Sequence, residues 1–282
     1  MIEYHENDLV SLYLRDLTII EQFNSIHQSI KLLEHPLLGK VLVINDEIQH
    51  IEKYQLFYHE MLVHLPVAFI PHLESVLIIG GGSLFAAYEA LKYKSVKKVI
   101  LCDYDHAVLD VMYRYYKHAR NVMNDPRFIY IEKEGSRFVM TEENQYDLIV
   151  NDCFNLALLS NNKNISYYEL LSKMNTSHGV CVDIIYRHIF DKKTNMDTLN
   201  YLSRQGNMAL SLVAVPEYPG ILHLETLWGK NISICQSLKY PINDIQKDSA
   251  DNRNDFQCDF YSPSNLSFYL YLPPYIKAMF NL

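Results

Sequence analysis

Glycine is scarce in this chain: there are nine in 282 residues, yet Gly80, Gly81 and Gly82 stand in a row. Positive charge is in short supply too. Lys and Arg number 25 against 33 Asp and Glu, a net charge of -8. That balance argues against a nucleic-acid partner, whose affinity comes from basic surface. A negative field draws cations in, although its plainest consequence is solubility. The five cysteines, Cys102, Cys153, Cys181, Cys235 and Cys258, include no C-x-x-C pair. An odd, scattered set beside apolar runs reads as reduced core thiols in a reducing compartment. No apolar run approaches the roughly 20 residues that span a bilayer. The opening Met1-Ile2-Glu3-Tyr4-His5 has neither a basic start nor an apolar signal core. The expectation is a cytoplasmic protein with no membrane partner. Hydrophobic residues at 49% and charged residues at 21% are ordinary for a globular chain, and the length suffices to bury a core without disulfides.

What is present divides near Pro66. Before it, short β-rich patches alternate: Val10–Leu14, Ser29–Leu33, Lys40–Ile44, a turn at Asn45-Asp46-Glu47, and Ile48–Ile51. Gln55–Leu65 is richer in helix formers, and Pro66 and Pro71 mark the crossing to a second unit. From Val76 the order becomes buried strand, helix, strand. Val76–Ile79, Val99–Cys102, Ile129–Ile131, Leu148–Val150 and Val180–Ile185 read as strands, with helices over Leu84–Tyr93 and His106–His118. Such alternation predicts a parallel sheet covered by helices. Leu210–Val215 and Leu222–Leu227, joined by the Pro216–Gly220 turn, add one antiparallel strand. Asp244–Asn254 is polar and reads as a loop. The expected architecture is an N-terminal β domain over residues 1–66 and a Rossmann-like domain over 67–282.

Ligands of parallel sheets sit beyond the carboxyl ends of the strands. The first strand of the second unit ends at Gly80-Gly81-Gly82, where glycine admits a ligand close to the backbone. Asp103 follows 21 residues after Gly82, placed to accept from a ribose diol. A dinucleotide site would want glycine at position 85, and Phe85 stands there. The pattern therefore favours an adenosine ligand without a pyrophosphate, with a plain tight turn as the alternative. Glu134-Gly135, after the third strand, places a carboxylate that either meets an adenine amino group or is solvated. Asp152 closes the fourth strand facing the same crevice, as a general base or as a loop cap. His59 and His64 are five apart, not the four that a helical zinc motif needs. No His/Cys group has ligand spacing, so no metal is expected, and Gly82-Ser83 lacks the context of a nucleophile elbow.

Several stretches in one order resemble the spermidine synthase family of polyamine aminopropyltransferases. "LGKVLVINDEIQ" is similar to the family's G-x-V-x-x-x-D-G-x-x-Q hairpin, and "YHEMLVHLP" to its Y-H-E-M-x-x-H-x-P. "VLIIGGG", "NDPRF", "YDLIVNDC", "VPEYPG" and the closing "FYSPSNLSFYLYLPPYIKAMF" match further segments. The resemblance implies an AdoMet-methyltransferase-type seven-stranded sheet. It also implies an aminopropyl transfer from decarboxylated S-adenosylmethionine, as co-substrate, to a diamine such as putrescine. No prosthetic group is implied, and a homodimer or homotetramer is. By the same matching, Asp152 takes the place of the base, with Tyr58 assisting. Gln49, Gly80–Gly82, Asp103 and Glu134-Gly135 take the nucleoside contacts. His59, Ser83, Asn155 and Tyr218 line the amine channel.

The departures are as specific as the matches. Where the family writes G-G-G-D-G-G, this chain has Gly80-Gly81-Gly82-Ser83-Leu84-Phe85. The D-x-x-D-P segment becomes Asp152-Cys153-Phe154-Asn155-Leu156, and Tyr54-Gln55 replaces an Asp-Glu pair. Acids that would hold a polycation are thus neutral, and each charged hydrogen bond lost is worth about 1.5–3 kcal/mol. Leu84 and Phe85 are expected to narrow the room beside the glycine turn. Three readings follow: a divergent aminopropyltransferase; a methyl- or aminocarboxypropyltransferase using intact S-adenosylmethionine, whose carboxylate Ser83 would tolerate; and an inactive binding homologue.

Overall fold

A computed structural model describes residues 2–7, 10–153, 163–185, 192–217, 222–230, 232 and 258–282. Strands β1 (Ile2–Asn7) and β2 (Val10–Leu14) form an antiparallel ribbon. Strands β3 (Thr18–Asn24), β4 (Ser29–His35), β5 (Gly39–Ile44) and β6 (Glu47–Ile51) follow as an antiparallel meander in sequence order. Its tightest turn places Asn45 and Asp46 at positive φ. These two residue types tolerate that conformation best after glycine.

Helix α1 (Gln55–Val67) leads out of the meander. Every residue from Tyr58 to Val67 is buried, including His59, Glu60 and His64. A helix buried on all sides lies between layers rather than on a surface, and its polar residues need internal partners. Pro66 lies in its last turn, so the helix ends just past the point where the sequence places its boundary.

The remaining strands make one seven-stranded sheet: β7 (Ser75–Gly80), β8 (Lys98–Asp103), β9 (Phe128–Glu132), β10 (Tyr146–Asp152), β11 (Asn175–Ile185), β12 (Asn207–Ala214) and β13 (Leu222–Gly229). Their order is β12-β13-β11-β10-β7-β8-β9, and β13 alone runs antiparallel to its neighbours. The expected α/β sheet with one reversed strand is therefore present. Residues alternate cleanly between two cores. Val76, Ile78, Leu148 and Val150 pack with α1 on one face, and Leu77, Ile79 and Ile149 pack with Tyr167, Tyr168 and Trp228 on the other. Helices α2 (Phe85–Leu91), α3 (His106–Tyr115) and α4 (Lys117–Met123) join the first face. Helices α5 (Gly135–Val139) and α6 (Lys163–Met174) join the second. Helix α7 (Lys192–Leu202) and the short C-terminal helices α8 (Leu266–Tyr269) and α9 (Pro274–Phe280), with a 3-10 turn at Pro263–Asn265 before α8, complete the described elements.

The structure departs from the sequence-based reading between α3 and α4. The single helix expected over His106–His118 is two, because Tyr116 adopts extended backbone between α3 and α4. The break turns the Tyr116 hydroxyl inward to His50 Nε2 at 3.0 Å, a tertiary bond that outweighs local helix propensity. The Leu84 and Phe85 side chains are both buried in the core shared by α1 and α2.

Glu225 on β13 is fully buried on the face covered by α1 and the C-terminal segment, and neither carboxylate oxygen has a hydrogen-bond partner among the described residues. Burial alone pushes its carboxyl up to about 8. A carboxyl raised from its ordinary value favours folding at low pH, and that contribution is lost as pH rises from about 4.5 through 8. We therefore expect Glu225→Gln to raise stability at pH 8 by on the order of 4 kcal/mol. The gain should shrink towards zero by pH 5, as read by denaturant unfolding at both pH values. A gain independent of pH would show that Glu225 is not buried as an acid.

Candidate active site at the carboxyl edge of the sheet

Strand order reverses between β7 and β10. The chain runs β7-β8-β9 in one direction and then returns to place β10 on the other side of β7. Such a switch opens a crevice at the carboxyl edge. Asp152, the last residue of β10, pairs directly with Gly80, the last of β7. Gly80 and Gly81 have φ of 79° and 72°, a region that penalises any side chain. The glycines admit the protein's own groups. A Cβ on Gly80 would stand 2.5 Å from the Asp152 carbonyl and 2.9 Å from Cys153 Sγ. On Gly81 it would stand 3.2 Å from the Asp152 carboxylate, and on Gly82 3.0 Å from that of Asp103. The three glycines thus bring the two acids to one short turn.

Alternation along β10 decides where Asp152 faces. Leu148 and Val150 lie on the α1 face, and Asp152 shares their parity. Tyr58, one turn into α1, donates its hydroxyl to Asp152 Oδ1 at 2.5 Å. The neighbouring Asn151 points the other way. Its amide donates to Asp183 and its carbonyl accepts from Tyr167 at 2.9 Å. Burial pushes the Asp183 carboxyl up to about 7 against the opposing bonds from Asn151 and Trp228. Nothing in the sequence pattern marked this second network, because its members lie on four separate elements.

Asp103 ends β8 and lies against Gly82. Burial raises its carboxyl, while backbone N–H bonds from Asp105, Gly82 and Tyr104 work to lower it; the Asp105 amide lies 3.0 Å from Oδ1. Asp105 caps α3 through the Ala107 amide. Its other oxygen accepts from Ser25 Oγ at 2.7 Å and Gln28 Nε2 at 2.9 Å, tying the meander to this edge. Glu134 caps α5 through the Ser136 amide and is exposed, with Gly135 buried behind it. Gln49 is exposed on β6, and its side-chain amide donates to the Glu47 carbonyl at 3.4 Å. Asn155 and Tyr218 lie outside the described residues, as does the loop expected at Asp244–Asn254.

His59 is buried between Tyr58 and Phe85, with ring centroids at 4.8 and 5.0 Å, and Nδ1 meets the Gln55 carbonyl at 2.9 Å. Burial lowers it to about 4, against a raising bond from Gln55. His50 and His118 flank the same phenylalanine ring at 5.1 and 3.8 Å. His118 Nε2 lies 3.0 Å from the Ser83 carbonyl, and burial lowers this ring to about 4 as well. Sequence reasoning missed both rings, since neither has motif spacing to another polar group. Ser83 is half-buried in the turn. No group of three or more His, Cys, Asp or Glu among the described residues is arranged to hold a metal ion.

Two expectations follow. Gly80→Ala should destabilise the fold by about 1–3 kcal/mol, the usual penalty of overpacking, read by denaturant unfolding. An unchanged midpoint would mean that the ends of β7 and β10 part freely. Imidazole carbon shifts should show His59 and His118 neutral at pH 5 and titrating near 4; titration of both near 6.5 would place them in water instead.

Comparison with known proteins accords with this geometry. A spermine/spermidine synthase domain model matches residues 55–237. The polyamine aminopropyltransferase of Leptospira biflexa is 35% identical over 133 residues, 47% of this chain and 47% of that protein, so the match spans about half the length of such a curated relative. Putrescine N-methyltransferase 2 of Nicotiana tabacum is 27% identical over 268 residues, 93% of this chain and 75% of that protein. The crystal structure of spermidine synthase from Thermotoga maritima superposes with a TM-score of 0.81 at 25% identity, covering 99% of this chain and 93% of that one. By the domain match across most of its sheet, the chain belongs to the spermine/spermidine synthase family.

Proposed function

We propose that the protein transfers an aminopropyl group from decarboxylated S-adenosylmethionine to a small diamine of the putrescine type. The observation that carries this reading is the Tyr58–Asp152 hydrogen bond at the switch point, beside the glycine turn. A free alkylamine has a pKa near that of lysine, about 10.4, and arrives protonated. It cannot attack carbon until a base takes its proton. Asp152 is the base in this scheme, and the Tyr58 hydroxyl fixes which oxygen faces the amine. The amine nitrogen then forms a bond to the methylene next to the sulfonium, the C–S bond breaks, and its electron pair stays on sulfur. Methylthioadenosine and the lengthened polyamine are the products. Holding nitrogen, carbon and sulfur in line supplies much of the acceleration.

Asp103 is the partner of the ribose hydroxyls, since its oxygens already lie against Gly82 at the neighbouring strand end. His59, neutral at physiological pH because of its burial, lines the amine side without repelling a cation. Gln49, Glu134-Gly135 and Ser83 are the further donor and acceptor contacts of the proposal. Ser83 carries no charge, so it grips an ammonium group less strongly than an acid would.

Mass spectrometry of products tests the reading directly, with decarboxylated and intact donor each offered to a panel of amines. Aminopropylated amine and methylthioadenosine from the decarboxylated donor are expected. Methylated product from the intact donor would instead put the chain with the N-methyltransferases. Asp152→Asn keeps an acceptor for Tyr58 and removes the base. It should leave methylthioadenosine affinity nearly unchanged and cut turnover by ~10²-fold or more. Full turnover in that variant would remove Asp152 from the mechanism.

A further inference from the structure

The peptide unit joining Ser83 to Leu84 ends the glycine turn, and it is held at both of its polar atoms. The Leu84 amide donates to the Gly81 carbonyl at 2.9 Å. On the other side of the same unit, the Ser83 carbonyl meets His118 Nε2 at 3.0 Å. A carbonyl only accepts, so Nε2 carries the hydrogen. The unit needs holding because Leu84 has φ of 64°, the left-handed region, and is the N-cap residue just before α2. Leucine is not at ease there, and its side chain is fully buried, so the backbone cannot relax without unpacking the core. No side chain caps the start of α2.

His118 is itself locked. Its ring stacks on Phe85 at 3.8 Å with an interplanar angle of 20°. Tyr116 and Tyr88 meet it edge-on at 5.4 and 5.9 Å. Phe85 in turn packs against His50, His59 and Tyr116. A side chain fixed on α4 by three rings thus reaches across to one carbonyl of the turn that ends β7. We propose that His118 is a positioning residue: by holding the Ser83 carbonyl it fixes the Gly80–Ser83 backbone in the shape that receives the nucleoside. This rests on the functional reading above only in naming the nucleoside as the occupant. His118 touches neither Asp152 nor Asp103 in any hydrogen bond, so its effect should fall on donor binding and leave the chemical step alone.

Three variants separate the bond from the packing. His118→Phe keeps the stack on Phe85 and removes the donor. His118→Gln keeps a donor and gives up the stack. His118→Ala removes both. Calorimetry with methylthioadenosine should show affinity three- to tenfold weaker for the Phe and Ala variants, the range of one neutral hydrogen bond, and recovery to within about threefold of wild type for Gln. Hydrogen exchange at the Gly82, Ser83 and Leu84 amides should quicken in the same order. Steady-state kinetics should raise the donor KM with kcat nearly unchanged. Wild-type affinity and exchange in His118→Phe would overturn the proposal, as would a Gln variant as weak as Ala. If wild type makes no product from either donor, the functional reading fails. The exchange series still decides whether His118 holds the turn.

Discussion

The backbone of Asp152 occupies the space where a side chain at position 80 would begin. That single crowding organises the carboxyl edge of the sheet. It demands glycine at the end of β7, in a conformation with φ of 79°. It draws Asp152 level with the turn, and the alternation of β10 then aims the carboxylate at α1 rather than at α6. Relaxing the contact would part the two strands at the switch point, where the crevice depends on their being adjacent.

Helix α1 works as the counterpart of that edge. Within one buried helix, Tyr58 reaches Asp152 on β10. Glu60 accepts the backbone amides of Asp259, Phe260 and Tyr261 at 2.7–2.9 Å. His64 meets Glu89 and the Tyr93 hydroxyl at 2.8 Å each. Burial disfavours the charge on Glu89, but the bonds from His64 and Lys92 outweigh it and hold the carboxyl below its usual value. Buried polar groups are costly unless satisfied, and in α1 their satisfaction ties the helix to the sheet, to α2 and to the C-terminal segment. The Y-H-E-M-x-x-H spacing is therefore as much a joinery of layers as a feature of chemistry.

Some of this was legible beforehand. The apolar runs ending at Gly80 and Asp152 predicted central strands, and their shared edge followed from the rule for parallel sheets. One reversed strand in the pair Leu210–Val215 and Leu222–Leu227 was also readable, and the structure shows it to be the second. Less was visible where local signals are weak or contradicted. Strand β3 has no buried residue and gives little alternation, and α6 has little periodicity to show. Tyr116 breaks a helix that its own neighbours favour, because a buried hydroxyl bond to His50 lies 66 residues away in sequence.

The sequence by itself determined the layered α/β architecture, the switch point and the identity of the acids at its edge, because those depend on periodicities of two and 3.6 and on where glycine stands. Tertiary structure alone decided that Leu84 and Phe85 turn into the core, that three imidazoles and Tyr116 gather round one phenylalanine ring, and that His118 reaches the Ser83 carbonyl. Such contacts join residues on different elements, and no local periodicity encodes which distant partner a buried polar group will find.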